Sequence, residues 1–329
     1  MTATKFQRNA AVIVIALVMC IASLQRTSQD EQSSTRKLNS NNFIDSPQLG
    51  LETTFLMGIM STRSKEGEDR RKLTRDTYLK DPSFCSLQDL INQGPSHSKC
   101  SVYYTFVVGG GGDNAPTDHW GDSPITLPPA TAEEKEMGDI VILNIQENGE
   151  TGKSRTWFKY AASLIQQGHP IDYVAKVHSD TLVGPHLLTD LIRNDLPPAP
   201  FNKGTYGGRP WANLKNQVMF ATKAFYFMSI DLALYISQIN YEDTKAILDY
   251  GKKSPRSNRE EQDIATLAFS IGKPSNWMNF DKYNFWRYPM TDEEQWRREW
   301  DKGINLQPEH HILPMNVICP AAGLAKTKK

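Results

Sequence analysis

The strongest constraint on the fold is a repeated alternation of short apolar runs with amphipathic stretches. Each apolar run is rich in β-branched or aromatic residues, which predicts a buried strand. Four runs have this character: TTFLMGIMS (53–61), SVYYTFVV (101–108), DIVIL (139–143) and YVAKV (173–177). Strands that alternate with helices predict an α/β domain with a largely parallel central sheet flanked by helices.

Helical patterns fill the segments between these runs. The charged stretch EGEDRRKLTRDTYLK follows the first run and places Arg71 and Arg75 on one helix face. In SRTWFKYAASLIQQGHP, apolar residues recur at helical spacing and Gly168 marks the C-terminal stop. Pro185 opens a further helix with the apolar stripe Leu187, Leu188, Leu191 and Ile192.

The second half of the chain is less regular. TYGGRPW predicts a turn or short strand, and NQVMFATKAFYFMS predicts a hairpin. Two helices follow, in IDLALYISQI and in REEQDIATLAFSIGK. In TDEEQWRREWDKG, Thr291 with Glu294 three residues later is typical of a capped helix start.

The N-terminal region carries a targeting signal. Lys5 and Arg8 precede an apolar run without charge, residues 10–24, which is shorter than the roughly 17–25 residues of a typical membrane span. An uncleaved anchor and a signal peptide cut after Ala22 both fit, and both place the following residues in the secretory pathway. We adopt the anchor, which predicts a cytosolic tail 1–9, a membrane span 10–24, a polar stem 25–48 and a lumenal domain 49–329.

Composition bears on partners and on redox state. The 37 basic and 37 acidic side chains balance, so the chain lacks the basic surplus typical of nucleic-acid binding. Cys85 and Cys100 bracket a loop that a disulfide would close in an oxidising lumen. Buried free thiols are the alternative, and both stay open.

The strand YVAKV ends in His178-Ser179-Asp180. Ligands of open α/β sheets bind beyond the carboxyl ends of strands, and residues two apart on a strand point the same way. An imidazole and a carboxylate so placed suit Mn²⁺, or Zn²⁺. The alternative is a strand-end turn in which Asp180 bonds the backbone.

The glycine-rich stretch after the second strand matches G-x-G-x-x-A from Gly110 to Ala115. A dinucleotide site needs a helix directly afterwards, because the helix N-terminus holds the pyrophosphate. PTDHWGDSPITLPPA follows instead, which favours a flexible loop.

From residue 53 onward the order of motifs resembles glycosyltransferase family 31, the β-1,3-galactosyltransferase, N-acetylglucosaminyltransferase and fringe-like family. RRKLTRDTY is similar to its R-x-x-x-R-x-T-W/Y signature, and YVAKVHSDTLV to its Y-V-x-K-x-D-D-D-T-F-V segment. FYFMSIDLA and EEQDIATLAFSIG resemble its G-Y-V-x-S-x-D-L-A segment and its E-D-V helix. The resemblance implies a GT-A type fold and inverting transfer of galactose or an N-acetylhexosamine from a UDP-sugar to a glycan hydroxyl, forming a β-1,3 linkage.

The resemblance also implies roles for individual residues. Asp263 takes the place of the catalytic base, with Glu260 and Glu261 as rivals and a helix-start acid as the alternative. The implied nucleotide-sugar-binding residues are Arg71, Arg75, Lys159 and Asp180. The implied Mn²⁺ ligands are His178, Asp180 and a late histidine, His310 or His311, of which we assign His311.

The chain departs from the family at two places. His178 and Ser179 replace two of the three acids, and Lys223-Ala224-Phe225 replaces G-x-G. The hypothesis is therefore an enzyme in the Golgi membrane, single-pass type II, acting on glycoprotein or glycolipid glycans. The alternative is a catalytically inactive lumenal protein that binds glycan or nucleotide.

The targeting interpretation predicts the N-terminus of the mature protein. We expect N-terminal sequencing of protein isolated from native membranes to find the tail 1–9 retained, because an anchor is not cleaved. A mature chain that starts at Ser23 would identify a signal peptide instead.

Overall fold

The computed structural model describes residues 53–93, 100–111, 115, 126–147, 152–213, 218–240, 243, 259–269, 274–279 and 286–303. Within these ranges the strands are β1 (Phe55–Met60), β2 (Phe84–Ser86), β3 (Val102–Gly111), β4 (Ile140–Gln146), β5 (Tyr173–His178), β6 (Leu182–Val183), β7 (Thr205–Asn213), β8 (Val218–Ser229), β9 (Asn276–Asn279) and β10 (Trp286–Arg287). The α-helices are α1 (Lys65–Asp76), α2 (Leu87–Gln93), α3 (Ala132–Met137), α4 (Lys153–Gln166), α5 (Pro185–Asp190), α6 (Ile230–Gln238), α7 (Arg259–Leu267) and α8 (Glu293–Asp301).

A mixed, mostly parallel sheet forms the centre of the domain. Its strand order within the described residues is β2-β3-β1-β5-β8-β7-β9, and β4 also pairs with β3. Strands β1 to β5 pair in parallel, whereas β8 runs antiparallel to both β5 and β7. The carboxyl ends of β1, β3 and β5 therefore meet at one edge, which we call the carboxyl edge. The short strands β6 and β10 form a separate pair.

Helices cover both faces of this sheet. On one face, α2, α4, α6 and α7 bury apolar side chains such as Trp157, Leu232 and Ile264 against β1 and β5. On the other face, Leu73 of α1, Leu188 of α5 and Trp296 of α8 pack in a second cluster. The predicted α/β class with a largely parallel sheet is confirmed at this level.

The four predicted strands correspond to β1, β3, β4 and β5. Pro185 is the first residue of α5, and Gly168 follows α4 with a left-handed φ of 94°, as predicted. The last helix begins one residue later than expected, because the side chain of Asp292, rather than Thr291, accepts from the backbone N–H of Glu294 at 3.1 Å.

The hairpin predicted for NQVMFATKAFYFMS is wrong. Its described residues belong to the single strand β8, and the hairpin partner is β7, which the sequence presented as a turn or short strand. Tyr226 and Met228 pack in one core cluster and Phe225 and Phe227 in the other. Burial on both faces explains the continuous apolar run.

Cys85 and Cys100 are joined in a disulfide with a Cα–Cα distance of 5.7 Å. The sequence left a disulfide and buried free thiols as alternatives, and the structure shows the disulfide. It links β2 to a position two residues before β3, beside the parallel pairing of these strands. No helix among the described residues is long and apolar enough to cross a membrane, and the predicted span 10–24 lies outside those residues.

The contact between β1 and α4 predicts a large effect of a single methyl group. A Cβ at Gly58 would lie 2.3 Å from Cε2 of Trp157, and the Trp157 indole is held by its N–H bond to the Ala175 carbonyl at 3.0 Å. We expect Gly58→Ala to lower the free energy of unfolding by about 1–3 kcal/mol, the usual cost of overpacking a core. Denaturant unfolding followed by circular dichroism measures it.

The matched comparison is Gly58→Ala in a Trp157→Phe background, where the smaller ring leaves room. There the same methyl group is expected to cost less, because the two positions are in contact and their effects do not add. Equal costs in both backgrounds would contradict the contact.

Candidate functional site

The strand β5 delivers His178 and Asp180 to the carboxyl edge. A turn follows the strand, closed by the Thr181 backbone N–H bonding the His178 carbonyl at 3.0 Å. The turn brings Oδ1 of Asp180 to 2.5 Å from Nδ1 of His178. A carboxylate oxygen accepts hydrogen bonds, so this contact requires the imidazole tautomer that carries a proton on Nδ1. The two side chains therefore lie together as predicted, and they bond to each other.

A buried ion pair joins this strand to α7. Lys176 lies two residues before His178 on β5 and is 1% exposed. Its ammonium is 2.8 Å from Oε1 of Glu261 and donates to the Lys223 carbonyl at 3.1 Å. Burial alone would raise the pKa of Glu261, but Lys176 outweighs it and the pKa is lowered. The pair fixes α7, which carries Asp263, against the strand of the His178–Asp180 contact.

Glu260 has a different role from its neighbour. Its carboxylate accepts a hydrogen bond from the Ser154 backbone N–H, in the first turn of α4. The N-cap of α4 is Gly152, which has no side-chain oxygen to satisfy such donors. Glu260 therefore caps α4 from another helix, and burial raises its pKa.

The ends of β1 and β3 are tied to α4 by another buried lysine. The ammonium of Lys153 donates to the Ser61 carbonyl at 2.6 Å and pairs with Glu147. Glu147 also accepts from the backbone N–H of Gly109 at 2.7 Å. Burial lowers the pKa of Lys153, and Glu147 opposes that shift.

The predicted nucleotide-binding arginines carry carboxylate partners. Arg75 is bonded to both oxygens of Asp139, at 2.8 Å each, and to Glu133. Arg71 also pairs with Glu133, and it donates to Oγ of Ser61 at 2.9 Å. Burial favours a higher pKa for Glu133, but the two arginines prevail and lower it.

Arg63 completes this arginine group just after β1. It is bonded to both carboxylate oxygens of Glu134, at 2.7 and 3.1 Å, and to the Gly110 carbonyl at 3.4 Å. Glu134 also closes a capping box with Thr131, which starts α3. The helix α3 thus supplies the acids that hold the segment between β1 and α1.

A last group of side chains lies beside the His178–Asp180 contact. The ammonium of Lys223 is 5.5 Å from the centroid of the Tyr288 ring, and that ring meets the His178 ring edge to face at 6.0 Å. The Met290 backbone N–H donates to the Asp180 carbonyl at 2.9 Å. Residues from β10 onward therefore border this end of β5.

The remaining predicted residues have varied positions. Lys159 is buried on α4, and Asp263 is half-buried on α7. His311 lies outside the described residues, as does its rival His310. The assignments of Asp263, Arg71, Arg75, Lys159 and His311 to their roles stay predictions.

Of the three predicted Mn²⁺ ligands, the described residues include two, His178 and Asp180. Among the residues that the structure describes, no three His, Cys, Asp or Glu side chains gather as a metal-binding group. His178 and Asp180 offer two donors, and one atom of each is engaged with the other. Mn²⁺ therefore stays a prediction.

Sequence reasoning assigned no role to Lys176, Lys153, Glu147 or Tyr288. The signal for Lys176 is present in YVAKV, because a lysine inside an apolar strand is rarely buried without a partner. The sequence presents its partner Glu261 only as a rival base. Tyr288 has no comparable local signal.

Comparison with known proteins adds no relative: no family model matches the chain, and no curated protein matches it.

The Lys176–Glu261 pair predicts a large loss of stability when one charge is removed. Glu261→Gln leaves the Lys176 ammonium buried without its counter-ion, so the free energy of unfolding should fall by about 3–5 kcal/mol. The matched control is Glu293→Gln, since Glu293 pairs with Arg297 on the exposed surface of α8. Its expected cost is below about 1 kcal/mol. Denaturant unfolding compares the two.

The pH dependence gives a second measurement. The pKa of Glu261 lies below its ordinary value of 4.5, so its contribution is complete above that pH and is lost as the pH falls through the lower folded value. Glu261→Gln should therefore flatten the acid side of the stability profile. Equal stability of Glu261→Gln and Glu293→Gln would contradict the buried pair.

Proposed function

We propose that the protein is an inverting glycosyltransferase of GT-A type. It transfers galactose or an N-acetylhexosamine from a UDP-sugar to a glycan hydroxyl and forms a β-1,3 linkage. The observation that carries this proposal is the ion pair between Lys176 and Glu261. It brings together the two segments, YVAKVHSD and EEQD, to which the family resemblance assigns donor binding and catalysis.

The position of these segments supports the proposal. His178 ends β5 and Asp180 follows it, at the carboxyl edge of a mostly parallel sheet, where open α/β folds bind ligands. Polar groups from β1, β3, β5 and α7 converge there. A nucleotide-sugar placed at this edge meets these polar groups at the ends of strands that are otherwise buried and apolar.

The roles of the neighbouring carboxylates support Asp263 as the base. Glu261 is bonded to Lys176, and Glu260 caps α4, so both rivals are part of the scaffold. Asp263 follows on the same helix and is half-buried. A general base must be held in place and still reach the substrate, and a half-buried carboxylate on a fixed helix meets both needs.

The reaction is a single displacement. Asp263 accepts the proton of the acceptor hydroxyl while that oxygen attacks the anomeric carbon. The new glycosidic bond forms as the bond from the anomeric carbon to the diphosphate oxygen breaks, and UDP leaves with the bonding electrons. Attack opposite the leaving group inverts the anomeric configuration.

The disulfide supports a lumenal address. Disulfides persist in oxidising compartments, which agrees with a catalytic domain in the Golgi lumen behind an N-terminal anchor. Glycans on glycoproteins or glycolipids are the acceptors that such an enzyme meets there.

One observation favours the alternative, a binding protein on the same fold. Lys223 stands at the position of the glycine-rich segment of the family, and its ammonium lies over the Tyr288 ring and is attracted by Asp180. Measuring UDP release by the full-length protein in detergent, with a panel of UDP-sugars and glycan acceptors, separates the two. Nucleotide binding without sugar transfer to any acceptor would favour the binding protein.

The base assignment predicts a specific kinetic change. We expect Asp263→Asn to lower kcat by about 10²–10⁴-fold, the usual contribution of general base catalysis. Donor affinity should stay nearly unchanged, because the base acts on the acceptor in the transition state. Steady-state kinetics and calorimetric UDP binding measure the two effects.

The matched control is Asp301→Asn, the same change at an exposed position of α8. It should leave kcat and donor affinity as they are. If Asp263→Asn behaves like this control, Asp263 is not the base.

A further inference from the structure

Lys223 occupies a defined position at the carboxyl edge. The last residue pair between β5 and β8 is Val177 with Phe225, and Lys223 lies two residues beyond it along β8. The backbone is fixed there from both sides. Lys176 donates to the Lys223 carbonyl at 3.1 Å, and the Thr181 hydroxyl donates to the Ala224 carbonyl at 3.1 Å.

The side chain of Lys223 is directed to the His178–Asp180 contact. Its ammonium lies over the Tyr288 ring, which in turn packs against the His178 ring. A hydrogen bond with Tyr288 raises the pKa of Lys223, and Asp180 adds to this through space. Lys223 therefore carries a full positive charge beside Asp180 at neutral pH.

Lys223 differs from the two buried lysines of the same edge. Lys153 pairs with Glu147, and Lys176 pairs with Glu261, so a carboxylate in contact compensates each of these charges. The contact of Lys223 is the Tyr288 phenol ring, and the carboxylates of Asp180 and Glu261 act on its ammonium only through space. Its charge is therefore available to an anionic ligand.

A diphosphate and a divalent cation respond to this charge in opposite ways. A cation that approaches Asp180 is repelled by the Lys223 ammonium, and the Nδ1–Oδ1 contact already occupies one donor atom each of His178 and Asp180. A diphosphate is attracted, since lysine binds phosphate as a point charge and stabilises a departing phosphoryl group.

We propose that Lys223 supplies the positive charge that binds the donor diphosphate, so that this site takes a nucleoside diphosphate without a divalent cation. The proposal rests on the proposed function, because it concerns the donor of that reaction. In this chain a lysine side chain on β8 would supply the positive charge that a bound divalent cation supplies in the family that the sequence resembles.

Calorimetric titration of UDP into the full-length protein in detergent tests this proposal. Wild type should bind UDP in the presence of EDTA, and added Mn²⁺ should change the affinity by less than about threefold, the scatter expected when no contact is gained. Lys223→Met should weaken binding in EDTA by about 10- to 100-fold, as for loss of a charged hydrogen bond. Lys223→Arg keeps the charge and should retain binding.

Two controls separate charge from folding. Lys203→Met changes an exposed lysine just before β7 and should leave UDP binding unchanged. Uridine has no phosphate, so Lys223→Met should bind it as wild type does.

The outcomes of these titrations test the role of Lys223 separately from the proposed transferase function. UDP binding that requires Mn²⁺ and is unaffected by Lys223→Met would overturn the role of Lys223 and leave the transferase proposal standing. Absence of UDP binding both in EDTA and with Mn²⁺ would overturn both.

Discussion

The buried ion pair between Lys176 and Glu261 is the interaction on which the carboxyl edge depends. Removing two charges from water is costly unless each is paired and hydrogen-bonded, so β5 and α7 can pack only in the register that joins them. That register places Asp263 on a helix fixed to the strand that ends at His178. It also brings Glu260 to the start of α4, where it satisfies the Ser154 backbone N–H. One pair thereby orients two helices around one strand end.

The central strands could be predicted from the sequence because the sheet is buried on both faces. Burial on both faces requires continuous apolar runs, and β1, β3, β4 and β5 have them. A long apolar run does not show whether it forms one strand or two. The run of β8 therefore predicts a hairpin, although it is one strand that pairs with β7. The short elements β2, α2 and α3 have few residues each, so their periodicity is too brief to detect.

The sequence could predict where the candidate site lies, but not which side chains bond to one another there. The rule that ligands meet carboxyl ends located His178 and Asp180. Nothing local to YVAKVHSD indicates that the two side chains bond to each other, since this depends on the turn that closes at Thr181. Arg71 and Arg75 find Glu133 on α3, a helix that sequence periodicity did not predict. Such partners come from tertiary packing, which a single sequence does not specify.

Under the proposed function, the charge arrangement lets a site with few acids serve a group-transfer reaction. A departing diphosphate needs positive charge, and an attacking hydroxyl needs a base. These two needs arise at different atoms, so different side chains can meet them. At this edge, Lys223 lies on β8, whereas Asp263 lies on α7. Because Lys176 contacts both the Lys223 carbonyl and Glu261, it holds these two elements at one place. The proposed donor binding and the proposed proton transfer can therefore be separated by mutation, although they share one scaffold.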